Sequence, residues 1–387
     1  MKIYGRYAVS EFLGDRVVYR GLNPADKRLP SLEALRRQTH LPDGFFPRKS
    51  DNEYARVVAH ILRQARQLEA PQAALKKLIF IGDTRVLDAN AFDNICQAGG
   101  WPGAAFIGSE TADPPGVKLE KTPGGETVYL SNRWSSLNEA TCELSDIPSF
   151  PEFCAARDFL PDESTVLLVD LDKTAIGARG RNAGVIDQAR VQAIEQTVSS
   201  LLATSFDPVA FRFVYDHLNQ PEYHPFTADN QDYLAYICLI LGSSLFQFNE
   251  LLAAIHSGQM RDFHQFIGLV ESRKSELPST LRDIHEEIYA NVIRGDPTPF
   301  KPFRYNEYRA TIGRMGHMAD DTPLSKLLEE EILITQEVRM LALSWQAQGT
   351  LVFGLSDKPD EASLPTAELA VQGYLPLHRK ETHAVGV

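Results

Sequence analysis

Asp170 and Asp172 close the run STVLLVDLDKTAIG (164–177), an apolar and β-branched stretch that reads as a buried strand. Residues two apart on a strand point to the same side, so both carboxylates can face a site at its end. Two uses suit them there. A hard cation such as Mg²⁺ takes oxygen ligands, usually one or two carboxylates with waters and a substrate phosphate. Two close carboxylates also push their pKa values apart, so that one can act as nucleophile while the other holds a proton. Taken alone, the pair is equally the acidic end of a strand running into a solvated loop. A second run, LIFIGDTRVLD (78–88), ends on Asp83 with Asp88 five residues on, and by itself fits a helix-capping turn. A third, TLVFGLSDKP (350–359), delivers Ser356, whose hydroxyl could bind a phosphate oxygen or close a turn.

The elements that position these residues follow from their pattern. Continuous apolar runs suit strands buried on both faces of a parallel sheet, and helical periodicity lies between them, as in 53–77. The fold class predicted is α/β, a Rossmann-like parallel sheet with helices on both faces and an inserted α-helical domain. In such sheets ligands gather at the carboxyl ends of the strands, where these polar residues stand. From 178 to 348 long helix-like stretches succeed one another, so the domains expected are a core from 1–177 and 349–387 and a helical insert at 178–348. The stretch 109–163 has DPPG and TPGG turns around a strand-like ETVYLSNR and is not placed by its pattern.

Together the pieces resemble the haloacid dehalogenase-like hydrolase superfamily. Its first motif, an apolar strand followed by DxDxT, is matched by Asp170, Asp172 and Thr174. Its second, a strand ending in Ser or Thr, is matched at Ser356, and its fourth, GDxxxxD, at Gly82, Asp83 and Asp88. The third motif is a lysine before the helix that leads into the fourth. Lys49 in FPRKSDNEYARVV is the match, with Lys358 and Lys380 as rivals. The third and fourth motifs precede the first here, the order of a circular permutation opened between the second and third. Open α/β domains tolerate such rearrangement because their termini are often close. It requires the three runs to lie in one parallel sheet and Asp83 to share a metal with Asp170.

The resemblance implies a Mg²⁺-dependent phosphohydrolase working through an aspartyl-phosphate. Asp170 would attack phosphorus, Asp172 would act as acid and base, Lys49 would neutralise phosphoryl charge, and Ser356 would donate a hydrogen bond. The metal would be held by Asp170, Asp172 through its carbonyl, Asp83 and Asp88. Thr174 and the loop arginines Arg179 and Arg181 are candidates to touch substrate. The helical insert occupies the chain position of the family's cap, which points to a small-molecule phosphate ester. A phosphotransferase or mutase of the same superfamily, or a non-catalytic ligand-binding protein or scaffold on the same fold, is the alternative.

Composition narrows the partners. A formal charge of −12 and a pI near 5.4 argue against a duplex nucleic-acid binder. Four scattered cysteines form no CxxC pair, which suggests neither zinc nor a disulfide framework and makes a cytoplasmic setting the expectation. The run YLAYICLILGSSLF (233–246) is short for a bilayer and predicts a buried helix, so no membrane role is expected. Lys301, Arg304, Arg309 and Arg314 form a basic stretch that reads as a solvated helix face sooner than an anion clamp. His378 and His383 suit structural roles, and Trp101, Trp134 and Trp345 suit core or domain contacts.

Overall fold

In a computed structural model, which describes residues 1–137 and 148–387, the three apolar runs lie side by side. The strands described are β1 (Lys2–Tyr7), β2 (Val17–Val18), β3 (Lys77–Gly82), β4 (Gly103–Gly108), β5 (Val117–Lys121), β6 (Thr127–Ser131), β7 (Thr165–Asp170), β8 (Ile334–Thr335), β9 (Leu351–Leu355) and β10 (Thr382–Gly386). A seven-stranded sheet runs β2-β9-β7-β3-β4-β6-β5, parallel except where β5 turns back on β6. The molecule is therefore α/β, with the expected parallel pairing of β3, β7 and β9. The register sets Ile81 beside Val169 and Asp170 beside Leu355.

Four helices precede β4: α1 (Ser10–Leu13), α2 (Leu32–Thr39), α3 (Asn52–Glu69) and α4 (Leu87–Gly99). Buried Tyr54, Val57, Val58, Ile61, Leu62 and Ala65 recur along α3 at helical spacing, and that stripe docks on the sheet. With α4 it covers the face carrying Leu78, Phe80, Leu168 and Phe353. The intervening residues Ile79, Ile81, Leu167 and Val352 are also fully buried, as alternation on a two-sided sheet requires. Helices Ser10–Leu13 and Gln336–Gln346 pack against β9. The stretch that the sequence pattern left unplaced supplies β5 and β6 and an aromatic cluster. In it Phe106 meets Tyr129, Trp134 and Phe150 at centroid distances of 5.8, 5.9 and 5.4 Å.

A small sheet, β1-β10-β8, joins the two ends of the chain: Lys2 pairs with Gly386 and Tyr7 with Thr382. It is anchored by Glu331, fully buried, which accepts from the amides of Met318 (2.9 Å) and His383 (3.1 Å) and pairs with His383 Nδ1 at 2.7 Å. His383 thus has the structural role expected of it, and His378 likewise bonds Tyr19 and Asp15.

The chain divides into two units, 1–188 with 311–387, and 189–310. The helical unit is thus shorter at both ends than the 178–348 expected. The cause lies in side chains that bind 178–188 and 311–348 into the first unit. Asn182 donates to the carbonyls of Leu328 (2.7 Å) and Glu331 (3.0 Å), and Arg181 pairs with Glu110 and Glu337. The second unit is helical and has its own core, in which Gln231–Gly242 buries Leu234 through Ile240, as the run 233–246 predicted. Tyr233 stacks on Phe263 at 3.8 Å. Arg304 neither faces solvent nor clamps an anion: it is buried against Asp232 and Glu307. All three tryptophans are buried, and Cys96, Cys154 and Cys238 are unbridged. Among the described residues no helix is long and apolar enough to cross a membrane.

Candidate active site

The chain leaves β3 toward β4 on one side, whereas from β7 the next strand of the main sheet in chain order, β9, lies on the other. The crevice between β3 and β7 is thus a topological switch point, the place where open α/β sheets bind ligands beyond their carboxyl ends. Four charged side chains converge there. Lys49 Nζ lies 2.6 Å from Asp170 Oδ1 and 2.7 Å from Asp88 Oδ1. Asp83, Asp88 and Asp170 each present an oxygen within 4.8 Å of the others. All four residues are buried.

Local sequence explains each position. Asp170 is the last residue of β7, on the face that also carries Val166 and Leu168. Asp88 opens α4 and folds back on the β3–α4 turn, where its Oδ2 accepts from the amides of Asp83 (2.9 Å) and Thr84 (2.8 Å). Gly82 permits that return, because a Cβ there would stand 2.6 Å from Asp88 Oδ2. Lys49 precedes α3, whose docking against β9 and α4 carries its ammonium over the strand ends. Asp88 already receives two amides and an ammonium, which makes it the organiser of the turn.

Electrostatics follow from burial without enough positive charge. Burial opposes the charge on Lys49, yet Asp170 and Asp88 hold its pKa well above the ordinary lysine value. Asp170 is pushed well above the usual carboxylate range by burial; Lys49 pulls the other way, and Asp88 and Asp83 add to the rise. Asp83 is pushed up to about 6 by burial and Asp88, against the pull of Arg179. A hard divalent cation fits this donor set. Three buried carboxylates face one lysine and one partly exposed arginine, and burial first, then repulsion between the carboxylates, raises the proton affinity of two of them.

The remaining sequence candidates separate. Arg179 reaches the cluster, donating to Asp83 and to Thr84 Oγ1 at 3.3 Å. Arg181 does not: its guanidinium is saturated by Glu110, Glu337 and the Val385 carbonyl, a structural tie in place of the expected substrate contact. Strand β7 stops at Asp170, so the two-residue alternation that grouped Asp172 with it does not extend to Asp172, which sits half-buried in the following turn. Thr174 is fully buried, with no partner for its hydroxyl among the described residues. Ser356 follows β9, next to β7, and its Oγ accepts from the Lys358 amide at 3.1 Å. The ammonium of Lys49 bridges Asp88 and Asp170.

Tyr54 escaped the sequence reading because it falls on the apolar stripe of α3 and reads as core. It is fully buried, but its hydroxyl has no hydrogen-bond partner among the described residues, and its charged neighbours are Lys49, Asp357, Asp170 and Asp88. Comparison with models of known protein families, with curated proteins and with solved structures finds no match.

Proposed function

We propose that the protein is a Mg²⁺-dependent phosphohydrolase of the haloacid dehalogenase-like type, with permuted motif order, acting on a small-molecule phosphomonoester. One observation carries the reading. Lys49, Asp83, Asp88 and Asp170, spread over 121 positions, meet at the carboxyl ends of adjacent parallel strands. They are the residues that the motif match picks out. No fold-level analogy is needed to see what such a cluster can do: it offers a carboxylate nucleophile, a fixed cation beside it and oxygen ligands for a metal.

In this reading Asp170 attacks phosphorus through the oxygen not held by Lys49. The phosphorus–ester oxygen bond breaks, its electron pair leaves on the alkoxide, and Asp172 supplies the proton. Water then attacks phosphorus and gives a proton back to Asp172, and the acyl–phosphate bond breaks to release phosphate and regenerate the Asp170 carboxylate. Lys49 offsets charge on the transferring group while keeping Asp170 oriented, so little reorganisation accompanies the reaction. Ser356, an acceptor toward Lys358, keeps its own hydrogen for a phosphoryl oxygen. Asp83, Asp88 and Asp170 would hold the cation, which when bound supplies charge neutralisation at phosphoryl oxygens. The helical unit 189–310, entered after β7 and left before β9 in chain order, is read as the cap.

The test is phosphate release from a panel of sugar, nucleotide, amino-acid and cofactor phosphomonoesters, with Mg²⁺ and with chelator. Release is expected from at least one ester, lost with chelator and reduced by orders of magnitude in Asp170→Asn. Wild-type turnover in that variant would remove Asp170 as nucleophile. Turnover indifferent to chelator would remove the metal.

A further inference from the structure

Tyr54 stands in the first turn of α3, five residues beyond Lys49. Its ring is packed in the apolar layer with Leu78, Phe80, Leu168 and Leu355, which fixes the side chain in place. Its hydroxyl is enclosed and makes no hydrogen bond among the described residues. Buried tyrosine hydroxyls ordinarily find a partner, because leaving one unpaired forfeits its hydration. Here the omission is pointed. Carboxylates of Asp170, Asp88 and Asp357 are its charged neighbours together with Lys49, and the phenol, a ready donor, takes none of these acceptors. A phenol carries its proton at neutral pH, so this hydroxyl has a hydrogen to donate.

We propose that Tyr54 is a substrate-binding donor, held rigid and unpaired in the resting site, that hydrogen-bonds an oxygen of the transferring phosphoryl group. The proposal rests on the phosphohydrolase reading above and adds a contact outside the residues that reading employs. Lys49 neutralises charge from one direction; Tyr54 contributes a neutral, directional donor whose burial makes its bond strong and its geometry fixed. The unpaired state of the resting protein is the cost of having that donor ready.

The experiment compares wild type with Tyr54→Phe in two measurements. The first is denaturant unfolding without added metal. Deleting an unpaired buried hydroxyl is expected to raise the folded-to-unfolded ratio by about fivefold. The second is binding of orthovanadate, a stand-in for the phosphoryl group, measured calorimetrically in Mg²⁺. The variant is expected to bind roughly tenfold or more weakly, with kcat/KM falling by a similar factor on any ester that the wild type turns over. Wild-type vanadate affinity in the variant overturns the proposal, as does a destabilised or unfolded variant, which would show that the hydroxyl has a structural partner. A wild type that neither binds vanadate nor releases phosphate overturns the phosphohydrolase reading and this inference together; failure confined to the variant comparison overturns only the role of Tyr54.

Discussion

Lys49 shows how much of the site is written in single residues. The sequence offered three lysines for one role, and no local pattern could choose among them, because the position of Lys49 depends on the docking of α3 on β9 and α4. Removing its charge leaves Asp170 and Asp88 buried without their cation. Lys49→Met, which keeps the stem, is expected to lose about 3 kcal/mol of stability at neutral pH, read by denaturant unfolding. The loss should shrink when Mg²⁺ is added. Asp83 and Asp170 were legible because acidic residues directly after apolar strands have a small set of uses. Asp172 was legible only as a motif position: the alternation argument fails where β7 ends at Asp170. Gly82 makes a second test at this scale. Gly82→Ala forces Asp88 away from the turn amides, since the new carbon would lie 2.6 Å from its Oδ2, and is expected to weaken Mg²⁺ binding measured by calorimetry.

Among the elements, strands buried on both faces were the easiest to read, since three short uninterrupted apolar runs separated by helical pattern suit a parallel sheet. The opposite held for 109–163, where short turn-rich segments leave little periodicity in the sequence. In its described parts, 109–137 and 148–163, β5 and β6 are held with non-local aromatic packing. Trp134 lies fully buried against Phe106, and Trp134→Ala is expected to cost about 3–5 kcal/mol in unfolding free energy. The small sheet carries a pH signature through Glu331. Burial alone would raise its pKa, but the amides of Met318 and His383, the His383 ring and the Thr382 hydroxyl hold it below its ordinary 4.5. A carboxyl lowered on folding contributes stability that is complete above its unfolded pKa and lost as pH falls through its folded one. Wild type should therefore exceed Glu331→Gln in stability at neutral pH. The gap should narrow as the pH falls below about 4.5, which paired denaturation curves across pH 3–7 would follow.

At the scale of the whole molecule, the insertion was visible as a change from strand-like to helical pattern, but its limits were not. Helical periodicity continues past 188 and resumes before 311, and only side chains such as Asn182 and Arg181 determine which unit owns those turns. The unit 189–310 has a core of its own and a buried ion network at Asp232, Arg304 and Glu307. Asp232→Ala strips Arg304 of a buried partner, a change worth about 3–5 kcal/mol. Hydrogen exchange should show the amides of 189–310 opening at lower denaturant than in wild type, while β3 and β7 keep their protection.

The pairing of β1 with β10 has an engineering consequence. Tyr4 donates to the Val387 carbonyl at 2.8 Å, so a short linker could join the two ends without disturbing the main sheet. New ends could then be cut in the exposed stretch 155–158. The re-ordered polypeptide would present Asp170 near its beginning, then Ser356, then Lys49, and close on Asp83 and Asp88. Its folding would ask whether the site depends on the direction in which the ribbon is threaded, or only on which strand ends become neighbours.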